Sequence, residues 1–130
     1  MTVGVADLHA LAVDLAAGAD EARWRSSVSR AYYASYHACE AWHGQLPMPG
    51  TKSPPGTGVH HSFCHQLKHP APGTAAALAK KSKIMGMMLD VMRGRRKVAD
   101  YDLGDTLDQA EALSVCANAG HLMAKAAEFP

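Results

Sequence analysis

Apolar residues recur every three or four positions along most of the chain, which is the spacing of an amphipathic α-helix. This pattern covers residues 5–17, 21–43, 59–69, 74–93 and 103–128. No segment alternates β-branched or aromatic residues with polar ones, as a half-buried strand does. The sequence therefore predicts an all-α protein, folded as a four- to five-helix up-and-down bundle.

Residues 44–58 interrupt the helical pattern with four glycines and four prolines. Both residue types are unfavourable inside a helix, so the segment is predicted to be a long loop. The chain has 130 residues, the length of one domain. We expect a single helical domain over residues 1–130.

Several residues are predicted to set the helix ends. Asp20 is placed to cap the second helix, and Gly94 is expected to end the fourth. Asp102 or Asp105 is the expected cap of the last helix. Residues 84–92 are nearly all apolar, so the fourth helix is expected to be central in the bundle.

Charge is unevenly distributed, although the formal net charge is only +1. Residues 80–97 hold seven lysines and arginines against Asp90, whereas residues 98–130 hold six acidic residues against Lys125. The basic and the acidic segment either neutralise each other in the fold or leave an anion-binding patch, and the sequence does not distinguish these two alternatives.

The sequence contains no pattern typical of a membrane or secreted protein. No apolar run approaches the ~20 residues of a membrane helix, and the N-terminus lacks the features of a signal peptide. Cys39, Cys64 and Cys116 are widely spaced and odd in number, so they are expected to be buried thiols rather than disulfide partners. A cytoplasmic location without a membrane partner is predicted.

Two segments carry the most distinctive residue patterns. Ser29–Ala38 reads Ser-Arg-Ala-Tyr-Tyr-Ala-Ser-Tyr-His-Ala, and Arg95–Tyr101 reads Arg-Arg-Lys-Val-Ala-Asp-Tyr. The first resembles the SRAYYAxxHA signature of HEPN-domain proteins (higher eukaryotes and prokaryotes nucleotide-binding), and the second resembles their RxxADY segment. The resemblance extends over most of the chain but does not account for the 44–58 loop.

The resemblance implies a helical bundle that forms a homodimer and acts in a toxin–antitoxin or other defence module. It also implies a nucleotidyltransferase-like protein partner, which in related systems modifies the tyrosine of the second segment, here Tyr101. Active members are metal-independent RNases, in which the 2′-hydroxyl of RNA is the nucleophile. Their motif is an arginine followed, after four to six residues, by a histidine. Here Asp100 stands in place of that histidine, so enzymatic activity is left open against a non-catalytic, partner-binding adaptor.

Arg95, Arg96, Asp100 and Tyr101 are the candidate catalytic residues. Guanidinium groups bind phosphate through two parallel hydrogen bonds, and they stabilise charge that develops on a phosphodiester. The alternative is structural, with Asp100 paired to an arginine and capping the helix while Tyr101 packs at the end of the bundle.

Arg30, Tyr33 and His37 lie in line on one helix face and are the candidate nucleotide- or RNA-binding residues, through charge and stacking. The alternative is a buried polar seam or a dimer interface.

A third set contains four histidines and a cysteine: His60, His61, Cys64, His65 and His69. His61 and His69 are eight positions apart, or ~12 Å along a helix, which is too far for both to bind one zinc ion. We therefore predict no metal site and no cofactor. The methionines at 85–92 are expected in the core.

Overall fold

The computed structural model describes residues 2–130 and consists of five α-helices. They are α1 (Val5–Ala16), α2 (Glu21–His43), α3 (Val59–Lys68), α4 (Ala76–Tyr101) and α5 (Gln109–Ala127). No strand occurs in residues 2–130, so the predicted all-α bundle is confirmed.

Helix α2 lies at the centre of the bundle, where it packs against α1, α4 and α5. Its buried side follows the three- to four-residue apolar period predicted for residues 21–43, with Val28, Tyr32, Cys39 and Trp42 fully buried. Asp20 caps the helix as predicted, because its side chain accepts a hydrogen bond of 2.9 Å from the Arg23 amide.

The short helix α3 packs closely against α4. At Gly86 of α4, an added Cβ atom would lie 2.9 Å from Cβ of Leu67 and 3.0 Å from the amide nitrogen of Lys68. The Ser82 hydroxyl donates a hydrogen bond of 2.6 Å to the Leu67 carbonyl. These contacts fix where the last turn of α3 lies along α4.

The 44–58 segment contains no helix, and it is attached to α3. The Gly50 amide donates to Nε2 of His43 at 3.0 Å, and the Gly50 carbonyl accepts from Nε2 of Gln66 at 3.1 Å. A Cβ atom at Gly50 would overlap the Gln66 carbonyl. The loop therefore leads directly into the N-terminus of α3 at Gly58.

The prediction that the fourth helix ends at Gly94 is wrong, because α4 continues to Tyr101. A glycine in an exposed helix costs only about 1 kcal/mol relative to alanine, and later residues of the helix offset this. Arg25, which is 8% exposed, donates to the carbonyls of Val98 at 2.9 Å and Ala99 at 3.1 Å near the end of the helix. Tertiary contacts thus extend the helix.

The predicted caps of the last helix, Asp102 and Asp105, are also wrong. Asp108 is the N-cap of α5, and its side chain accepts from the Glu111 amide at 2.8 Å. The preceding residue, Leu107, is fully buried, which anchors the connection and sets where α5 begins.

Helix α4 is not central, contrary to the prediction. Met85, Leu89 and Met92 are buried, but Met87 is 62% exposed and Val91 is 65% exposed. The reason is that α2 occupies the middle of the bundle, so α4 buries one side only.

Candidate anion-binding site

A pocket of about 400 Å³ lies between the first turn of α3 and the C-terminal part of α4. Residues 57–61 form one wall, and Arg93, Arg96, Lys97 and Tyr101 form the other. We call it the α3–α4 pocket. The three cationic residues occur at positions i, i+3 and i+4, so one side of α4 presents them together.

The α3 wall presents backbone amides that no side chain caps. Gly58 is the N-cap of α3 and supplies no capping hydrogen bond, and the first turn contains no acidic residue. The first amides of a helix have no partner within the helix, and the helix dipole is positive there. This wall therefore favours an anion.

Arg96 is the most buried cation of the pocket, at 8% exposure. Its guanidinium carbon lies 5.4 Å from the ring centre of Tyr32, 5.8 Å from that of Tyr33 and 5.7 Å from that of Tyr101. One terminal nitrogen is 3.4 Å from the Asp100 carboxylate. Its Nε atom is buried and has no hydrogen-bond partner among residues 2–130.

Arg93 is held by Asp90, whose carboxylate accepts from its Nε atom at 2.8 Å and also pairs with Lys68. Burial disfavours the charge of Asp90, but the hydrogen bonds from Lys68 and Arg93 outweigh it and lower the pKa of that carboxyl. Lys97 is exposed and forms no ion pair within the described part of the chain. The pocket wall thus carries more positive than negative charge.

His60 lies between the pocket and α2. Its Nδ1 atom is 2.9 Å from the Tyr32 hydroxyl, and its ring makes T-shaped contacts with the rings of Tyr32, Tyr33 and Tyr36. Burial, followed by the nearby charges of Arg96, Arg93 and His37, lowers the pKa of His60. Burial raises the pKa of Tyr32, so its phenol stays protonated.

The candidate catalytic residues separate into different environments. Arg96 and Tyr101 line the α3–α4 pocket. Asp100 accepts from Ser29 at 3.3 Å and lines a different cavity, between α1, α2 and the end of α4. Arg95 points away from both and donates to Glu111 of α5 at 2.9 Å.

The second candidate set stays together and adjoins the pocket. The Arg30 guanidinium carbon lies 5.4 Å from the Tyr33 ring centre, and the Tyr33 and His37 rings stack at 6.5 Å. Arg96 contacts the same Tyr33 ring, so this ring lies beside the α3–α4 pocket, whereas Arg30 lines the cavity that contains Asp100. We call these three residues the Tyr33 stripe.

The four histidines of residues 60–69 do not converge. His60 and His61 line the pocket, whereas His65 and His69 stack on each other at 4.0 Å farther along the helix. No three histidine, cysteine or acidic side chains of residues 2–130 come together as a metal site would require. All three cysteines are free and buried.

Sequence reasoning missed His60, Arg93 and Lys97 as residues of the site. The spacing of Arg93, Arg96 and Lys97 on one helix is visible in the sequence and could have identified the cationic wall. His60 could not have been found in this way, because its position depends on how α3 packs.

Within residues 2–130, no helix combines the length and the apolar character needed to cross a bilayer. The comparisons with known proteins add no relative: no family model, no curated protein and no solved structure matches this chain.

Proposed function

We propose that this chain is a HEPN-like domain that binds RNA by holding a backbone phosphate in the α3–α4 pocket. It would act in the cytoplasm as a component of a prokaryotic toxin–antitoxin or defence module. The observation that carries the proposal is Arg96, a nearly buried guanidinium with an unpaired Nε atom, which lines the same pocket as an uncapped helix N-terminus.

A bound phosphate would accept hydrogen bonds from both walls of the pocket at once. Burying a cation without full compensation is unfavourable, and Asp100 is only a distant partner at 3.4 Å. An anion between Arg96 and the first turn of α3 would accept hydrogen bonds from the Arg96 guanidinium and from the unpaired amides. Lys97 adds a charge that no neighbour in residues 2–130 neutralises.

RNA is favoured over a free anion because rings lie beside the pocket. Tyr33 and His37 stack on each other next to Arg96, so a base attached to the bound phosphate can stack there. Aromatic platforms beside cations are typical of single-stranded nucleic-acid sites.

The proposal is tested by fluorescence anisotropy with a labelled single-stranded RNA of twelve nucleotides, at 50 to 200 mM NaCl. Arg96→Gln is expected to weaken binding about tenfold, since a charge-assisted hydrogen bond contributes about 1.5–3 kcal/mol. Arg95→Gln is the matched control, one position away and paired with Glu111, and should stay within about twofold of wild type.

Substitution of the buried Arg96 also changes packing within the fold, so the exposed residue Lys97 is substituted in a second variant. Lys97→Gln should leave the fold unchanged and reduce the slope of log K against log salt by about 0.7, the value for one phosphate contact on a single strand. Equal affinities for Arg96→Gln, Lys97→Gln and wild type would refute the proposal.

A second candidate is a non-catalytic adaptor that binds a nucleotidyltransferase-like protein. Tyr101 favours it, because this side chain is 69% exposed at the rim of the pocket. Co-expression with neighbouring genes should then add the mass of a nucleotide to wild type but not to Tyr101→Phe. The homodimer that the resemblance implies is tested on the same preparations by light scattering.

A further inference from the structure

The charges around the α3–α4 pocket do not balance. No acidic side chain of residues 2–130 lines the pocket. Two carboxylates of these residues, those of Asp90 and Asp100, pair with its cations from outside. Four cations lie in or directly behind the α4 wall: Lys68, Arg93, Arg96 and Lys97. Four cations against two carboxylates leave an excess of two positive charges, which an anion with two negative charges would neutralise.

The first turn of α3 adds three amide donors without acceptors. The Ser62 amide donates to the Gly58 carbonyl at 2.9 Å. The amides of Val59, His60 and His61 come before it in the helix and have no acceptor among residues 2–130. All three residues line the pocket, so these amides are available to a ligand there.

His60 adds a further, neutral donor. The Tyr32 hydroxyl is buried, and Nδ1 of His60, at 2.9 Å, is its partner among residues 2–130. The phenol donates to Nδ1, because its hydrogen would otherwise be buried without an acceptor. Burial is the main reason that the pKa of His60 is lowered, which favours the neutral ring, and the ring hydrogen is then on Nε2. This Nε2–H group has no acceptor in the described chain.

A phosphate monoester matches these charges and donors better than an internal phosphate of RNA does. A monoester carries about 1.5–2 negative charges near pH 7 and three strong acceptor oxygens. An internal phosphate carries one charge, has two non-bridging oxygens, and brings a second ribose to the mouth of the pocket. It would leave positive charge without a counterion and donors without acceptors, which is unfavourable in a partly buried site.

We propose that the α3–α4 pocket recognises the terminal phosphate monoester of an RNA strand, and that His60 contributes to this preference through its Nε2–H group. The inference rests on the proposed RNA binding and narrows the bound phosphate to a chain end. Arg96 and Lys97 supply charge, and the amides of residues 59–61 supply directed hydrogen bonds. Tyr32 is a positioning residue, because its hydroxyl sets which nitrogen of His60 carries the hydrogen.

The experiment compares single-stranded RNAs of twelve nucleotides that share one sequence and an internal label but differ at one end. The four ends are a 5′-hydroxyl, a 5′-phosphate, a 3′-phosphate and the methyl ester of a 5′-phosphate. Fluorescence anisotropy in EDTA measures the affinity of wild type for each RNA. A 5′- or 3′-monoester should bind about tenfold more tightly than the hydroxyl end, the effect of one further charge-assisted hydrogen bond. The methyl ester has nearly the same size but one charge fewer, and it should bind within about threefold of the hydroxyl end.

Two variants of His60 separate its donor from its packing. An asparagine side chain reaches the position of Nδ1 but not that of Nε2, whereas glutamine reaches the position of Nε2. His60→Asn should therefore lower the preference for the monoester to about twofold, and His60→Gln should keep most of it. The preference is a ratio of two affinities measured on one preparation, so a loss of folded protein does not change it.

Variants of the cationic wall test the charge. Arg96→Gln should weaken binding of the monoester more than binding of the hydroxyl end, so the preference falls. Lys97→Gln is an exposed change and should lower the preference in the same direction. Arg95→Gln is the matched control, because Arg95 pairs with Glu111 outside the pocket, and it should keep the full preference.

The outcomes separate this inference from the proposed function. If wild type binds all four RNAs equally, or binds the methyl ester as tightly as the monoester, the terminal-phosphate inference is overturned while RNA binding stands. An unchanged preference in His60→Asn refutes the role of His60. Failure of wild type to bind any of the RNAs refutes the proposed function itself.

Discussion

Two concave regions lie on opposite sides of α4, and they differ in how their charge is balanced. The α3–α4 pocket contains Arg96, whose Nε atom has no partner among residues 2–130. The second region, a cleft of about 510 Å³ between α4 and α5, contains Arg95. There the Arg95 guanidinium donates to Glu111 at 2.9 Å, and Asp108 lines the same cleft.

Two neighbouring arginines of one helix therefore have different electrostatic surroundings, although their side chains are chemically identical. Successive residues of a helix point about 100° apart, so Arg95 and Arg96 face different partners. Arg95 meets the acidic first turn of α5, which neutralises it. Arg96 meets the uncapped first turn of α3, which adds positive potential instead of removing it.

The largest effect is expected from a substitution at Gly86, because the α3–α4 pocket exists only while α3 packs closely on α4. Gly86→Ala places a methyl group against Leu67 and the backbone of Lys68 and should destabilise the fold by about 1–2 kcal/mol, overpacking outweighing helix propensity. Denaturant unfolding measures the change, and RNA binding should weaken with it.

Gly94→Ala is the matched substitution on the same helix. Nothing lies within 4 Å of an added Cβ there, so stability should rise by about 0.5–1 kcal/mol. If both variants shift stability in the same direction, close packing of α3 does not determine the pocket.

Substitution of Asp90 is expected to lower the stability by an intermediate amount, because its carboxylate pairs with Lys68 of α3 and with Arg93 of the pocket wall. Its pKa is lowered in the folded protein, so the stability that it contributes is present above its ordinary value of 3.8 and is lost as the pH falls through the folded value. Asp90→Asn should lose about 1 kcal/mol at pH 7 and nothing near pH 2, measured by urea unfolding.

Asp14→Asn is the control, since Asp14 is exposed and has no ion pair in the described chain. Its free energy of unfolding at pH 7 should stay within about 0.5 kcal/mol of wild type. A pH-independent loss in Asp90→Asn would show that packing, and not the carboxylate charge, holds α3.

The smallest effect is expected in the cleft. Glu111→Gln removes the charge that neutralises Arg95, so the cleft becomes more cationic and RNA affinity at 50 mM NaCl should rise by no more than about twofold. Glu128→Gln, an exposed change of equal charge, is the control for the overall field. A gain near tenfold would mean that the cleft, and not the pocket, is the main RNA surface.

Local patterns were sufficient for the helices and for the buried side of α2. Asp20 and the apolar period of residues 21–43 behave as predicted, because capping and a 3.6-residue period act between neighbours in sequence. Gly94 was misread because the hydrogen bonds of Arg25 come from 73 and 74 residues away and extend α4 past it. Local propensity carries no information about such partners.

The amino-acid sequence by itself therefore determined an all-α chain, its helical segments and a cationic stretch near residue 96. Tertiary structure decided which of those cations share a pocket. The packing of α3 on α4, which includes the close contact of Leu67 and Lys68 with Gly86, brings the first turn of α3, with His60, beside Arg96 and Tyr32, which lie 36 and 28 residues from His60 in the sequence. Helix formation depends on near neighbours, whereas a site between helices depends on packing between distant ones.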